Sequence, residues 1–356
     1  MNSIVLIPTT FVSPILDKCI NSVLSSDYSG DIVVASCYKE AESVISISDR
    51  VRFSYHPYNV GLDPSHAIIE NAIMALDKEY DYIVLLHNDA ILPKTWYSKM
   101  CEAWSRMGDK AWCVTIPSIT HNKEHIKSYY TDYVYNNSYE DIIKTFKSIE
   151  VTVPVCANTP EQLFGLGIDV WMSGNTGRLS ACSSIPYKLY KDCIVKYGGE
   201  NFIVSELFIL RDAIRDKRWA VWINTDPVMH FQGGSSLAPV NTIGNAHAYC
   251  YKKFYDYYGY DLEHLFTIWC GMVTIKHRVE ITQAINEGRL GDIDYIFDEA
   301  EELLANRDCS KCWGLGVCRC KGNINRIGWD QRTLTTAELN YIEKLKSTIW
   351  CNHNKE

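Results

Sequence analysis

The run Tyr82-Ile83-Val84-Leu85-Leu86-His87-Asn88-Asp89-Ala90-Ile91-Leu92 constrains the fold more than any other stretch of this chain. Its opening residues, rich in β-branched and Leu side chains, describe a strand covered on both faces, as in the middle of a sheet flanked by helices. A polar triplet ending in a carboxylate follows at the strand's carboxyl edge. Open α/β sheets place their ligands at that edge, so Asp89 stands where a divalent cation holding a diphosphate can be gripped. Asp also favours turns and helix caps, so the triplet alone equally fits the opening of the helix expected near Pro93-Lys94.

The surrounding sequence supplies that sheet. Ile4 to Ile7 reads as a strand and Pro14 to Leu24 as an amphipathic helix with Ser13 as its cap. Asp31 to Ser36 is a second strand, Glu40 to Ile47 a second helix, and Val51 to Tyr55 a third strand. Asn59-Val60-Gly61 makes a turn, and Pro64 to Leu76 reads as a helix with Pro at its opening. After Tyr82 to His87 come a helix from about Lys94 to Met107 and a strand from Ala111 to Ile116. Strands alternating with helices imply right-handed crossovers and a mainly parallel sheet, an α/β fold.

Residues from about 119 to 165 break this rhythm and read as an insertion over the sheet edge, a lid or acceptor-side loop. The alternation resumes from Asp169, with a helix over Ile203 to Arg215 and a strand over Trp219 to Ile223. Beyond Ser236 the character changes: an aromatic-rich helix over Tyr249 to Tyr260, a helical pair over Val279 to Ile285 and Ile293 to Leu304, a Cys cluster, and a last helix over Thr336 to Ile349. The expected division is therefore 1–236 for the sheet domain and 237–356 for a mostly helical extension carrying the cluster at 309–320. No internal repeat is visible.

At 356 residues the chain can bury a full core. A net charge of −8 argues against a nucleic-acid binder that uses its whole surface, though not against a local basic patch. No apolar stretch is long enough for a membrane span, and the first apolar run lacks the basic start and length of a signal peptide. Most of the 14 cysteines are scattered singly through apolar segments, as reduced core thiols are. Together these features lead to the expectation of a cytoplasmic protein, in the host cytoplasm if the source is viral.

Four segments carry a resemblance. Ile7-Pro8-Thr9-Thr10 closes the first strand, Asn59-Val60-Gly61 forms an Asn-any-Gly turn, Leu85 to Ala90 closes a hydrophobic strand in a short Asp-containing motif, and Met229-His230-Phe231-Gln232-Gly233-Gly234-Ser235-Ser236 follows the last core strand. Over residues 3 to 236 this set resembles the inverting GT-A glycosyltransferases of the family 2 type, which include rhamnosyl- and galactofuranosyltransferases. The resemblance implies a GT-A-like sheet and a nucleotide-sugar donor bound by Pro8, Thr9, Thr10, Asn59, Gly61, His87, Asn88 and Asp89. It also implies a metal ion held by Asp89 and His230. A leaving diphosphate needs a hard cation to neutralise its charge. Mg²⁺ prefers oxygen alone, so a His ligand favours Mn²⁺ over Mg²⁺.

The general base is implied by the same resemblance. The family carries an acidic residue at the start of the helix after the acceptor loop, where this chain has Glu200-Asn201-Phe202-Ile203-Val204-Ser205-Glu206-Leu207. Glu206 matches the second member of the family's Glu-Asp pair, with Ser205 in the first place and Glu200 as the fallback. A base there would deprotonate the acceptor hydroxyl as it attacks the anomeric carbon. Two positions depart from the family: the acidic pair is broken, and the second strand ends in Ala35-Ser36-Cys37 in place of a base-contacting Asp. Each residue also has a plainer reading: Glu206 on a solvated helix face, His230 as a core histidine, Arg211 in a surface ion pair.

Cys309, Cys312, Cys318 and Cys320 place four thiols within twelve residues. That spacing suits a closed tetrahedral site, with structural Zn²⁺ as the default ion. Lys311, Arg319, Lys321, Arg326 and Arg332 face a single acid, Asp330, across the same stretch, which also holds Trp313 and Trp329. Basic and stacking side chains together can hold nucleic acid, and a zinc-stapled cap on the domain is the plainer role.

The expected function is a metal-dependent glycosyltransferase whose acceptor is a glycan or a hydroxymethylated DNA base. The alternative is a non-catalytic nucleotide- or nucleic-acid-binding protein on a GT-A-like scaffold. The sequence leaves the oligomeric state open.

Overall fold

The computed structural model describes residues 1–9, 14–36, 48–55, 78–116, 118–120, 137–148, 170–172, 181–190, 206–223, 225–230, 257–260, 264–265 and 267–306, with a few isolated residues besides. Strands β1 (Ser3–Thr9), β2 (Asp31–Ser36), β3 (Val51–Tyr55), β4 (Tyr82–Leu86), β6 (Ala111–Thr115), β8 (Val170–Met172), β9 (Cys182–Pro186) and β10 (Trp219–Ile223) form one sheet in the order β3-β2-β1-β4-β9-β6-β10-β8. β3, β2, β1 and β4 run parallel, and β10 runs parallel to β6. β9 lies antiparallel between β4 and β6, and β8 is antiparallel to β10. Six of the eight strands therefore point the same way, and their carboxyl ends share one edge. This is an α/β fold with a mostly parallel sheet.

The central strands form because every residue can be buried. Ile4 to Ile7, Ile32 to Ala35 and Ile83 to Leu86 are all inside, the continuous apolar pattern of strands covered on both faces. Helix α1 (Pro14–Leu24) buries Leu16, Cys19, Ile20 and Val23, and helix α2 (Trp96–Met107) buries Trp96, Met100, Ala103, Trp104 and Met107. Both sets recur at the helical period and turn one stripe inward.

β9 is the strand that the sequence conceals. Its buried Ser183 and Ser184 break any apolar run. Each hydroxyl is matched inside the protein: Thr115 Oγ1 and Ser183 Oγ are 2.8 Å apart, and Trp104 Nε1 donates to Ser184 Oγ at 3.0 Å. Buried polar groups are tolerated when paired in this way. The sheet is mainly parallel, as expected, with one antiparallel strand at its centre and another, β8, at its edge.

A second, three-stranded sheet consists of β5 (Ala90–Ile91), β11 (Val228–His230) and β7 (Ser118–Thr120), with β11 in the middle. The stretch 119–165 is not without periodicity, since Tyr139–Ser148 forms a helix, α3, beginning with Ser138 Oγ accepting from the Asp141 amide. The rest of that insertion lies largely outside the described residues, as do the expected helices over Glu40 to Ile47, Pro64 to Leu76 and Thr336 to Ile349 and most of the one over Tyr249 to Tyr260.

In the C-terminal part, helices α5 (Arg278–Glu287) and α6 (Tyr295–Asn306) follow a π-helical turn at Thr267–Val273. They join the sheet's apolar core: the ring of Phe297 on α6 lies 4.2 Å from that of Trp219 on β10 and stacks at 5.0 Å on Trp269. Helix α4 (Glu206–Arg215) is tied to α6 by Arg211, which pairs with Glu301 through both terminal nitrogens and also donates to the Tyr260 hydroxyl. Only 12% of the Arg211 side chain is exposed. The expected surface ion pair is therefore an interior clamp. Among the described residues no helix is long and apolar enough to cross a membrane.

Candidate metal centre

The register of the parallel sheet decides where the polar triplet falls. Leu6 of β1 is paired with Leu85 of β4, so three residues further on Thr9 and Asn88 come level at the carboxyl edge. There Asn88 Nδ2 donates to Thr9 Oγ1 at 2.7 Å, with both residues buried. The turn is pinned along the backbone as well. The His87 amide donates to the Ala181 carbonyl at 2.8 Å, and the His87 carbonyl accepts from the Ala90 amide at 3.2 Å and from the Cys19 thiol at 3.4 Å. With Asn88 turned inward and anchored, His87 and Asp89 on either side of it are held in place.

His230 arrives from the other sheet. β11 pairs antiparallel with β5, and this ladder sets His230 opposite Ala90, the residue after Asp89. As a result His230 Nε2 is 3.3 Å from Asp89 Oδ1 and 3.1 Å from His87 Nδ1. The ligand atoms of His87, Asp89 and His230 all lie within 4.8 Å of one another. Asp89 is 3% exposed, whereas His87 is open to solvent.

These separations suit a shared cation. With metal–ligand bonds of ~2.1 Å, neighbouring ligands of an octahedral ion are ~3.0 Å apart and those of a tetrahedral ion ~3.4 Å. Two of the three separations fall in that range, and the third is within 4.8 Å. Two imidazoles and one carboxylate suit first-row transition ions better than Mg²⁺. An imidazole must be neutral to bind a metal. Protein packed around the ring, and then the neighbouring His230, lower the pKa of His87 to about 4, against the opposing pull of Asp89. Water on the open side of the ring moderates that shift, and its direction leaves His87 neutral at pH 7.

Of the expected site residues, the structure brings Pro8, Thr9, His87, Asn88, Asp89 and His230 to one region at the carboxyl edges of β1 and β4. His87, assigned to donor contact on the sequence, stands with Asp89 and His230 in the group that could hold a cation. A His two residues before Asp89, across a turn whose middle residue points inward, is the signal that could have found it. Glu206 opens α4. Thr10, Asn59, Gly61, Glu200, Cys309, Cys312, Cys318 and Cys320 lie outside the described residues.

No family model and no curated protein matches the sequence. Among solved structures, the chain is similar to residues 1–349 of TarS from S. aureus, with a TM-score of 0.40 and 8% identity over 85% of this chain and 92% of that one. It is also similar to GalNAc-T7, crystallised with UDP, GalNAc and Mn²⁺, with a TM-score of 0.46 and 12% identity over 84% of this chain and 55% of the other. Likenesses this distant carry no argument about activity.

Proposed function

We propose that this chain is a metal-dependent glycosyltransferase that moves a sugar from a nucleotide-sugar donor to an acceptor hydroxyl, with inversion. The observation that carries this reading is the meeting of His87, Asp89 and His230 at the carboxyl edge of β4. That edge is where an α/β sheet of this kind binds a ligand. A cation held there supplies charge neutralisation for a departing diphosphate.

The protein's own residues divide the remaining work. Pro8 and Thr9 line the same edge as the triplet and would lie against the nucleotide, with Thr10, Asn59 and Gly61 completing the donor site. Asn88 keeps its two neighbours aimed at the cation by its bond to Thr9. Glu206, at the first position of α4, would take the acceptor proton, with Glu200 as the second candidate. The acceptor is a glycan or a hydroxymethylated DNA base. The basic segment with Cys309, Cys312, Cys318 and Cys320, stapled by Zn²⁺, would serve as a cap or as a contact to DNA phosphates.

The test is release of nucleotide from a panel of nucleotide-sugars, with and without Mn²⁺, using the full chain. Turnover that requires Mn²⁺ and disappears in Asp89→Ala supports the reading. Tight nucleotide binding without turnover, whether glycan or hydroxymethylated duplex DNA is offered, overturns it.

A further inference from the structure

The aromatic residues around Tyr257 are left unused by the chemistry proposed above. We infer that Tyr257 is a stacking platform for a neutral sugar ring of the acceptor, set beside the first turn of α4. That the bound sugar is an acceptor rests on the transferase reading; that Tyr257 binds a sugar does not.

Topology turns the first residue of α4 toward the carboxyl edge of the sheet. The helix ends at Arg215, the chain turns with Lys217 in the left-handed region at φ 54°, and β10 opens at Trp219. β10 runs in the same direction as β4, so Trp219 and the last turn of α4 stand at the amino edge. The 10 residues of α4 span ~15 Å and the 5 of β10 ~17 Å, so a helix running back along the strand brings Glu206 level with the carboxyl ends. The aromatic residues follow α4 in the same sense. Tyr260 accepts from Arg211 in the middle of the helix, and the Arg211 guanidinium lies 5.6 Å from the centre of the Tyr258 ring. Tyr257 reaches Phe208, in the first turn, with ring centres 6.4 Å apart. Tyr257 is thus at the end of the helix that Glu206 opens.

Tyr257 is 57% exposed, yet its ring is held in place. It meets Tyr258 edge to face at 4.9 Å and the buried Phe208 in the same manner. A large ring that stays in water while its neighbours fix its orientation loses little freedom when a ligand covers it. The electron-rich face of such a ring attracts the polarised C–H groups on one face of a sugar, and the phenol hydroxyl adds a polar contact.

Charge selects the class of acceptor. Tyr255 to Glu263 holds Asp256, Asp261 and Glu263 and no Lys or Arg. Glu206 opens the neighbouring helix with another acid, and the Arg211 guanidinium is matched by Glu301. Acids here repel the phosphates of DNA and leave a neutral sugar unaffected.

The experiment applies labelled full-length chain to a printed array of neutral oligosaccharides and measures affinity for the strongest binder by calorimetry, with hydroxymethylated duplex DNA as a second probe. A neutral glycan should bind at least ~10-fold more weakly to Tyr257→Ala and Tyr257→Leu, and within ~3-fold of the unmodified chain to Tyr257→Phe and Tyr257→Trp, which keep a ring face. Tyr257→Leu keeps apolar bulk against Phe208, so the comparison holds even if Tyr257→Ala fails to fold.

The inference is overturned if no neutral glycan binds, if the folded Tyr257→Leu chain binds it equally well, or if the DNA binds instead and is weakened by Tyr257→Leu. Mn²⁺-dependent turnover in any of these cases leaves the transferase reading intact. Glycan binding that needs the Tyr257 ring, with no turnover of any donor, has the opposite meaning: the platform stands and the transferase reading falls.

Discussion

His87 Nδ1 and His230 Nε2 lie 3.1 Å apart although 143 positions separate them in the chain, and their rings meet edge to face. Two imidazoles this close to a buried carboxylate form a centre that a cation would complete, and several outcomes can be measured from it and from the contacts that hold it.

Adding Mn²⁺ should raise the thermal midpoint of the full chain, and a chelator should cancel the gain. At a concentration ~100 times the dissociation constant the stabilisation is ~2.7 kcal/mol, since the ion binds the folded state alone. Asp89→Asn removes the one charged ligand and should abolish the shift in a thermal-unfolding assay. A shift preserved in that variant would place the ion elsewhere.

Replacing Arg211 with Met should destabilise the chain by about 2 kcal/mol. The change leaves the Glu301 carboxylate without the 2.8 Å bond from Arg211 Nη2 and without its partner at Nη1. Glu301 is 35% exposed, so water recovers part of the loss and keeps it below that of a fully buried broken pair. Urea unfolding measures the difference. Because the clamp joins α4 to α6, the variant should also lose protection from proteolysis in residues 295–306.

Ser184→Ala should cost about 1–3 kcal/mol although it removes a single oxygen. The lost acceptor leaves the Trp104 Nε1 donor buried with no bond in place of its 3.0 Å one, and an unmet buried donor bears the full desolvation penalty. Calorimetric or urea unfolding would detect it. A neutral result would mean that water reaches the Trp104 indole.

Acid should weaken the fold through Asp31. Burial opposes the charge of its carboxylate, yet bonds from Lys78 Nζ at 2.6 Å and Tyr80 Oη at 2.7 Å outweigh it and hold its pKa below the ordinary 3.8. A pKa depressed on folding contributes stability above the unfolded value, and this is lost as pH falls through the folded one. Asp31→Asn should therefore flatten the stability profile between about pH 5 and about pH 2, measured by urea unfolding at each pH. An unchanged slope would mean that the pair has no stabilising effect.

Much of the sheet was legible because its signals are local. Asp31–Ser36, Val51–Tyr55 and Trp219–Ile223 match their expected strands to the residue, and α1 begins at Pro14 and ends at Leu24 as its apolar spacing requires. Where long-range pairing decides the outcome, local pattern was silent. β5 and β11 are two and three residues long, too short for any period to register. β9 has two buried serines, whose cost is removed only by Thr115 and Trp104 from elsewhere in the chain. The helix Tyr139–Ser148 is masked by the polar insertion around it, although Ile142, Ile143 and Phe146 stand at helical spacing.

The sequence alone determined that strands would alternate with helices and that a carboxylate would close the central strand, because burial of an uninterrupted apolar run is dictated by the run itself. It also marked Asp89 and His230 as candidates. Only the tertiary structure decided that they meet, and that His87 joins them, because the pairing of His230 with Ala90 is a contact between distant segments. Such a contact depends on backbone hydrogen bonds that any side chains can accompany, so no local pattern in either segment records it.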